Sequence, residues 1–190
     1  MRKSKLRKIY LSKHTALSRK VRAEKSHRIK DRIFAEFDLR SINVLHFFNP
    51  IEVKMEVDVG LIMDGVWDDY PQIRTISSRV NFDANKLEHL DVGPGSTLKT
   101  NHWGRPEPVG DRLVKEKSLD MVLVPLLCFD HAGNRIGYGK GFYDVFLTKC
   151  RKDCVKVGLS FFEPVENIDD VEDHDVPVDF GVTPQKLWVF

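Results

Sequence analysis

Apolar and polar positions change their period several times along the chain, and each change marks an element. Leu6, Ile9 and Tyr10 share one face of a segment whose other positions are mostly Lys and Arg, which predicts an amphipathic helix beginning near Lys3. Ser18 is a suitable N-cap for a second helix, with Val21, Ile29, Ile33, Phe34 and Phe37 as an inward stripe and Arg19 to Arg32 as exposed surface. Asn43 to Phe48 reads as a buried strand ended by Asn49-Pro50. Beyond it the pattern is weaker. A helix is expected within 56–65, carrying Val57, Leu61, Ile62 and nearby Val66, and short strands at 73–77 and 87–92, before a turn at Gly93-Pro94-Gly95. Met121 to Cys128 is apolar throughout, as in a strand buried on both faces, and Val155 to Leu159 is a further strand. A mainly parallel sheet follows from these runs.

The densest chemistry lies between those last two strands. Asp130 to Asn134 supplies a turn, Gly137-Tyr138-Gly139-Lys140-Gly141 follows, and Phe142, Val145, Phe146 and Lys149 then recur at helical intervals. Glycines at alternate positions allow positive φ and let successive backbone N–H groups converge on an anion, while Lys140 adds a point charge. The same loop is also compatible with a plain glycine-rich connection of strand to helix. Asp144, one turn into that helix, would repel a bound phosphate unless a hard cation such as magnesium lay between them. The spacing matches neither the Walker loop nor the dinucleotide fingerprint.

Val-Pro-Leu-Leu-Cys-Phe-Asp-x-x-Gly-x-Arg-Ile-Gly-Tyr-Gly-Lys-Gly-Phe-Tyr-Asp, residues 124–144, resembles the signature of the 5-formyltetrahydrofolate cyclo-ligase family. The resemblance implies a single domain over 1–190 with a three-layer α/β/α architecture of the NagB/RpiA/CoA-transferase-like group. It implies ATP-dependent cyclisation of 5-formyltetrahydrofolate to 5,10-methenyltetrahydrofolate, with magnesium as cofactor and ATP as co-substrate. By the same resemblance Lys3, Ser4, Lys5, Leu6 and Arg7 join Arg135, Ile136, Gly137, Tyr138, Gly139, Lys140, Gly141, Phe142 and Tyr143 at the nucleotide. Lys140, Arg135 and Tyr143 are the expected catalytic groups. Phe47, Glu52 and Trp103 are expected at the folate, together with Tyr138 to Phe142. Asp144 and Asp175, the latter in a His-Asp-x-x-x-Asp element, are the expected metal ligands. Glu52 also lies just past the carboxyl end of a strand, where ligands of open α/β sheets gather. Trp103 sits in a Gly/Pro-rich loop, where an aromatic either caps a core edge or stacks on a flat ring. Two departures stand out: Phe142 and Val145 replace a common Tyr and Arg, and Glu163-Pro164 stands where a glutamine is frequent. They keep open a second reading, a non-catalytic folate- or nucleotide-binding paralogue.

Composition narrows the remaining classes. With 190 residues, 42% hydrophobic and 31% charged, the chain can bury one substantial core. No signal peptide or spanning run is legible, because the longest apolar stretch is short and contains Pro125, so a cytoplasmic protein with no membrane partner is expected. Three cysteines fit a reducing compartment, and Cys150 and Cys154 lack a second ligand pair for zinc. Residues 1–32 hold 13 Lys/Arg against 2 Asp/Glu, a net +11, which leaves −9 for the remainder of a chain of net +2. Such an arm could bind nucleic acid, but it lacks stacking aromatics beyond Tyr10. A solvated helical face, or one that meets an anionic small molecule, is expected instead, with no nucleic-acid partner and a monomer or weak dimer.

Overall fold

The computed structural model describes residues 1–190. Two helices open the chain, α1 (Lys3–Thr15) and α2 (Arg19–Glu36), the latter capped by Ser18, whose hydroxyl accepts from the Val21 N–H. They are followed by β1 (Val44–His46), α3 (Gly60–Asp69), β2 (Arg74–Asn81) and β3 (Lys86–Asp91). A hairpin of β4 (Leu98–Thr100) and β5 (Pro106–Pro108) leads to β6 (Leu113–Val114) and β7 (Met121–Pro125). A second small hairpin, β8 (Cys128–Phe129) with β9 (Arg135–Ile136), precedes α4 (Phe142–Leu147). The chain closes with β10 (Val155–Leu159), β11 (Phe180–Val182) and β12 (Leu187–Val189).

Eight strands form one sheet in the order β12-β11-β10-β7-β1-β2-β3-β6. Its five central strands are parallel, and β12, β3 and β6 are the antiparallel additions. From β1 the chain crosses through α3 to β2 on one side; from β7 it crosses through α4 to β10 on the other. The direction of winding therefore reverses between β1 and β7, whose register pairs Leu45 with Met121. At such a reversal the connections leave in opposite directions and open a crevice beyond the carboxyl ends of the two strands.

Alternation along β7 explains the layers. Met121 and Leu123 face a core built by Ile29 and Ile33 of α2 with Ile62, Met63 and Val66 of α3. Val122 and Val124 face the opposite side, with Ile76, Phe146 and Leu147. All five residues of β7 are buried, as a strand covered on both faces requires. The second face is thinly covered, because its only helix, α4, is six residues long. No helix is long and apolar enough to cross a membrane.

Several sequence expectations shift in detail. The 121–128 run divides at Leu126, since β8 leaves the sheet to pair with β9. The third helix runs 60–69 instead of 56–65. Val21 is exposed, and the buried positions of α2 are Ser26, Ile29 and Ile33. At 3.6 residues per turn Val21 lies roughly 80° from Ile29, 120° from Ile33 and 140° from Ser26 around the helix, at the margin of the buried stripe.

Gly181 of β11 shows how closely the sheet is packed against its neighbours. A Cβ there would lie 2.7 Å from Cε2 of fully buried Phe129. Gly181→Ala is expected to cost about 1–3 kcal/mol, as overpacking of a filled core does; urea unfolding checks this, with a lowered midpoint at unchanged m-value as the expected result.

Candidate functional site

Part of the expected site gathers around the loop that follows β9. The loop from Gly137 to Gly141 lies past β9, with Gly139 at φ 86° and Gly141 at φ 69°, a region open to glycine at little cost. Gly139 is also constrained from above: a Cβ would meet the Arg7 guanidinium carbon at 3.2 Å. Arg7 Nε donates to the Gly137 carbonyl at 3.1 Å, so α1 is laid directly over the loop. Within that N-terminal segment the roles separate by face. Arg7 and Lys3 turn to the site, Leu6 is buried in a small core with Leu127, Cys128 and Ile136, and Ser4 and Lys5 are exposed. Ile136 likewise packs inward, so its side chain is structural and only its backbone borders the loop.

Two carboxylates flank a buried guanidinium. Arg135 Nη2 donates to Asp144 Oδ1 at 2.8 Å, and its side chain is 5% exposed. The Val176 N–H donates to the same Asp144 oxygen at 3.2 Å, which draws the 175–176 segment against α4. Asp175 takes the Glu172 N–H at 2.7 Å and a short ion pair from Lys3 Nζ. That cation and the amide hold the Asp175 carboxyl below the usual aspartate range against the opposing effect of burial. Arg135 Nη1 is buried without a partner. No group of three or more His, Cys, Asp or Glu side chains is placed to hold a metal by itself. Hard oxygen donors in such a pair suit magnesium, which keeps several waters and completes its octahedron with phosphate oxygens. The residues present therefore fit a divalent ion that arrives with a nucleotide.

Deeper in the crevice lies a cluster that the sequence did not reveal. Glu52 stands exposed on a short 3-10 turn and makes no hydrogen bond to the glycine loop. Met55 adopts a left-handed conformation, φ 53°, and this reversal turns in the carboxylate of Glu56, which is 4% exposed. Glu56 Oε2 accepts from the Ile51 N–H at 2.5 Å and its carboxyl meets the Tyr138 hydroxyl. Burial lifts its pKa above the usual glutamate range, although these hydrogen bonds and nearby Arg105 and Lys54 oppose the rise. Lys54 Nζ sits 4.2 Å above the Tyr138 ring. Tyr138 and Tyr143 both have raised pKa values, with burial the main cause, so both hydroxyls stay protonated.

Trp103 is partly buried on the hairpin between β4 and β5. Its ring lies 4.9 Å from Phe82 and 6.2 Å from Phe142, with Lys140 Nζ 5.6 Å from its centroid. Phe47 behaves differently: it is buried edge-on to Trp67 and borders a neighbouring cleft of about 260 Å³ that also includes Met63 and Ser96. Thus the glycine loop, Lys140, Phe142, Tyr143 and Trp103 come together, while Phe47 lines an adjoining space. Beneath α4, His46 Nε2 contacts Ser78 Oγ at 2.7 Å, and Ser78 contacts His89 Nδ1 at 2.9 Å. Both rings lie against Phe146, and burial holds both histidines neutral, His89 down to about 4. This polar support fixes α4, and with it Tyr143 and Asp144.

Comparison with known proteins identifies the family and the fold. A family model described as the 5-formyltetrahydrofolate cyclo-ligase family matches residues 1–184. A 5-formyltetrahydrofolate cyclo-ligase of Escherichia coli strain K12 is 32% identical over 154 residues, 74% of this chain and 84% of that protein. The solved 5,10-methenyltetrahydrofolate synthetase of Aquifex aeolicus superposes with a TM-score of 0.84 at 28% identity, covering 100% of this chain and 93% of that one. The synthetase of Mycoplasma pneumoniae shares the fold, with a TM-score of 0.77 at 24% identity over 97% of this chain and 99% of that one.

Proposed function

Since the chain belongs to the 5-formyltetrahydrofolate cyclo-ligase family, we propose that it is an enzyme that closes 5-formyltetrahydrofolate to 5,10-methenyltetrahydrofolate at the expense of ATP, releasing ADP and phosphate. The observation that carries this reading is the convergence of α1 on the glycine loop, where Arg7 bonds to Gly137 and covers Gly139 next to Lys140. Arg7 and Lys140 bring two cations to a loop whose free backbone amides suit an anion, and a triphosphate would supply it.

The chemical difficulty is a formamide carbon that is a poor electrophile with a poor leaving group. Phosphorylating its oxygen gives an iminium phosphate; attack by the N10 amine and departure of phosphate complete the ring. Phosphoryl transfer depends chiefly on alignment and charge neutralisation. Lys140, Arg7 and the loop amides would hold the phosphates, and Arg135 would contribute its unpaired Nη1. Asp144 and Asp175 would hold magnesium, which neutralises phosphate charge when bound. Glu56 would take the N10 proton, a task suited to a carboxylate with a raised pKa. Trp103, Phe142 and Tyr143 would exclude water from the activated intermediate. In this reading α1 needs no nucleic-acid site, since Arg7 is committed to the loop and Lys3 to Asp175.

Growth of the methenyl product's absorbance on mixing protein, 5-formyltetrahydrofolate, ATP and magnesium tests the proposal. ADP release that ignores the folate would contradict it. Trp103→Leu is expected to raise KM for the folate several-fold, the loss of about 0.5–1.5 kcal/mol of ring stacking. Initial rates at varied folate, with KM for ATP as the control that stays put, check that outcome.

A further inference from the structure

Resting on the reaction proposed above, we infer that Arg105 is a further catalytic residue, one that binds the phosphoryl group as it passes to the formyl oxygen and again as it leaves. The hairpin tip that carries Arg105 is built to aim it. Asn101 Oδ1 accepts from the N–H groups of Trp103 and Arg105 at 2.9 and 3.1 Å, and Asn101 N–H donates to the Arg105 carbonyl at 2.9 Å. Asn101 Nδ2 donates to Glu107 Oε1 at 2.7 Å, and that oxygen also takes the Val80 N–H of β2 at 3.0 Å. The tip is thus tied to the main sheet. Gly104 at φ 79° turns the chain between Trp103, whose ring lies 6.2 Å from Phe142, and Arg105, whose side chain meets Tyr143.

Arg105 differs from the other well-placed arginines. Arg74, Arg79 and Arg135 are paired with Asp91, Glu88 and Asp144. Arg105 forms no such pair, and its Nε is buried with no hydrogen-bond partner. Its guanidinium faces the Tyr143 hydroxyl and lies near enough to Glu56 and Tyr138 to favour their ionised forms. A desolvated donor left unpaired is costly, and the fork of a guanidinium matches phosphate oxygens. Its neighbours place it between the group that accepts the N10 proton and the residues beside the glycine loop, which is where the phosphoryl oxygens must travel.

In the first step a lone pair of the formyl oxygen forms the new O–P bond while the bond from the γ-phosphorus to its bridging oxygen breaks, and that electron pair leaves with ADP. The N5 lone pair becomes the second N5–C bond. In the next, the N10 lone pair attacks the same carbon, its proton passes to Glu56, and the C–O bond breaks with its pair on phosphate. Negative charge on the phosphoryl oxygens persists throughout, and Arg105 meets it in both steps.

Arg105→Leu and Arg105→Lys should be compared with the unmodified chain for kcat, for affinity toward a non-hydrolysable ATP analogue, and for cooperative urea unfolding. The expected result for Arg105→Leu is a fall in kcat of about 10²- to 10³-fold, the loss typical of one transition-state donor, with analogue affinity changed less than about threefold. Arg105→Lys should recover part of kcat, and it carries the test if the Leu variant does not unfold cooperatively. The inference is overturned if a folded Arg105→Leu keeps kcat within about threefold, or if analogue affinity falls in proportion to kcat. An unmodified chain that forms no methenyl product would remove the proposed function and this inference together; an active unmodified chain beside an equally active Leu variant removes the inference alone.

Discussion

Asp144→Asn is expected to lower turnover on the order of 10³-fold, equivalent to about 4 kcal/mol of lost transition-state stabilisation. Asparagine keeps the oxygen that accepts from Arg135 and from the Val176 N–H, so the packing of the 175–176 segment against α4 should survive. What it removes is the charge. Without it, a divalent ion loses one of two anionic ligands, and the buried Arg135 guanidinium is left free to compete for the phosphates. Steady-state turnover measures the combined effect. Manganese binding followed by electron paramagnetic resonance, in the presence of a non-hydrolysable ATP analogue, measures the lost ligand directly, and undiminished manganese affinity would exclude Asp144 as a metal ligand.

Glu56→Gln should produce the second large effect, a loss of about 10²- to 10⁴-fold in turnover, the range for removal of a positioned general base. Its stability signature is separate and has a definite sign. The folded pKa of Glu56 is raised, with burial as the main cause. The folded state therefore favours the protonated carboxyl. This contribution is complete below the ordinary glutamate pKa of about 4.3 and is lost as pH rises through the higher folded value. Glutamine, which does not ionise, escapes that loss. Relative to the unmodified chain, Glu56→Gln should therefore gain stability between acid and neutral pH, and urea midpoints at the two pH values check it. A variant that loses stability relative to the parent over that interval would show that the paired, ionised carboxylate is the favoured native form.

The contrast between Glu52 and Glu56 shows what the sequence could convey. β7 was legible because burial on both faces writes a continuous apolar run, and the Gly137–Gly141 loop because alternate glycines announce unusual backbone. The proposed metal pair was suggested only by family resemblance: Asp144 and Asp175 are distant in sequence, and the Val176 N–H brings their segments together. Glu56 was missed for a specific reason. Its inward turn depends on the left-handed Met55, and a non-glycine residue gives no compositional sign of positive φ. Arg105 was hidden differently, since a guanidinium in a Gly/Pro-rich loop looks solvated until the Asn101 network is seen to hold the tip against β2. Val21 shows the converse error: an apolar residue at the start of a helix is not thereby part of its buried stripe.

The eight-stranded sheet ends at one side in the two-residue β6 and at the other in the three-residue β12. Such brief margins offer few free main-chain groups for another chain to zip onto. The five-residue, fully apolar β7 is enclosed at the centre of the sheet, and the margins that meet other molecules are too short to template stacking efficiently.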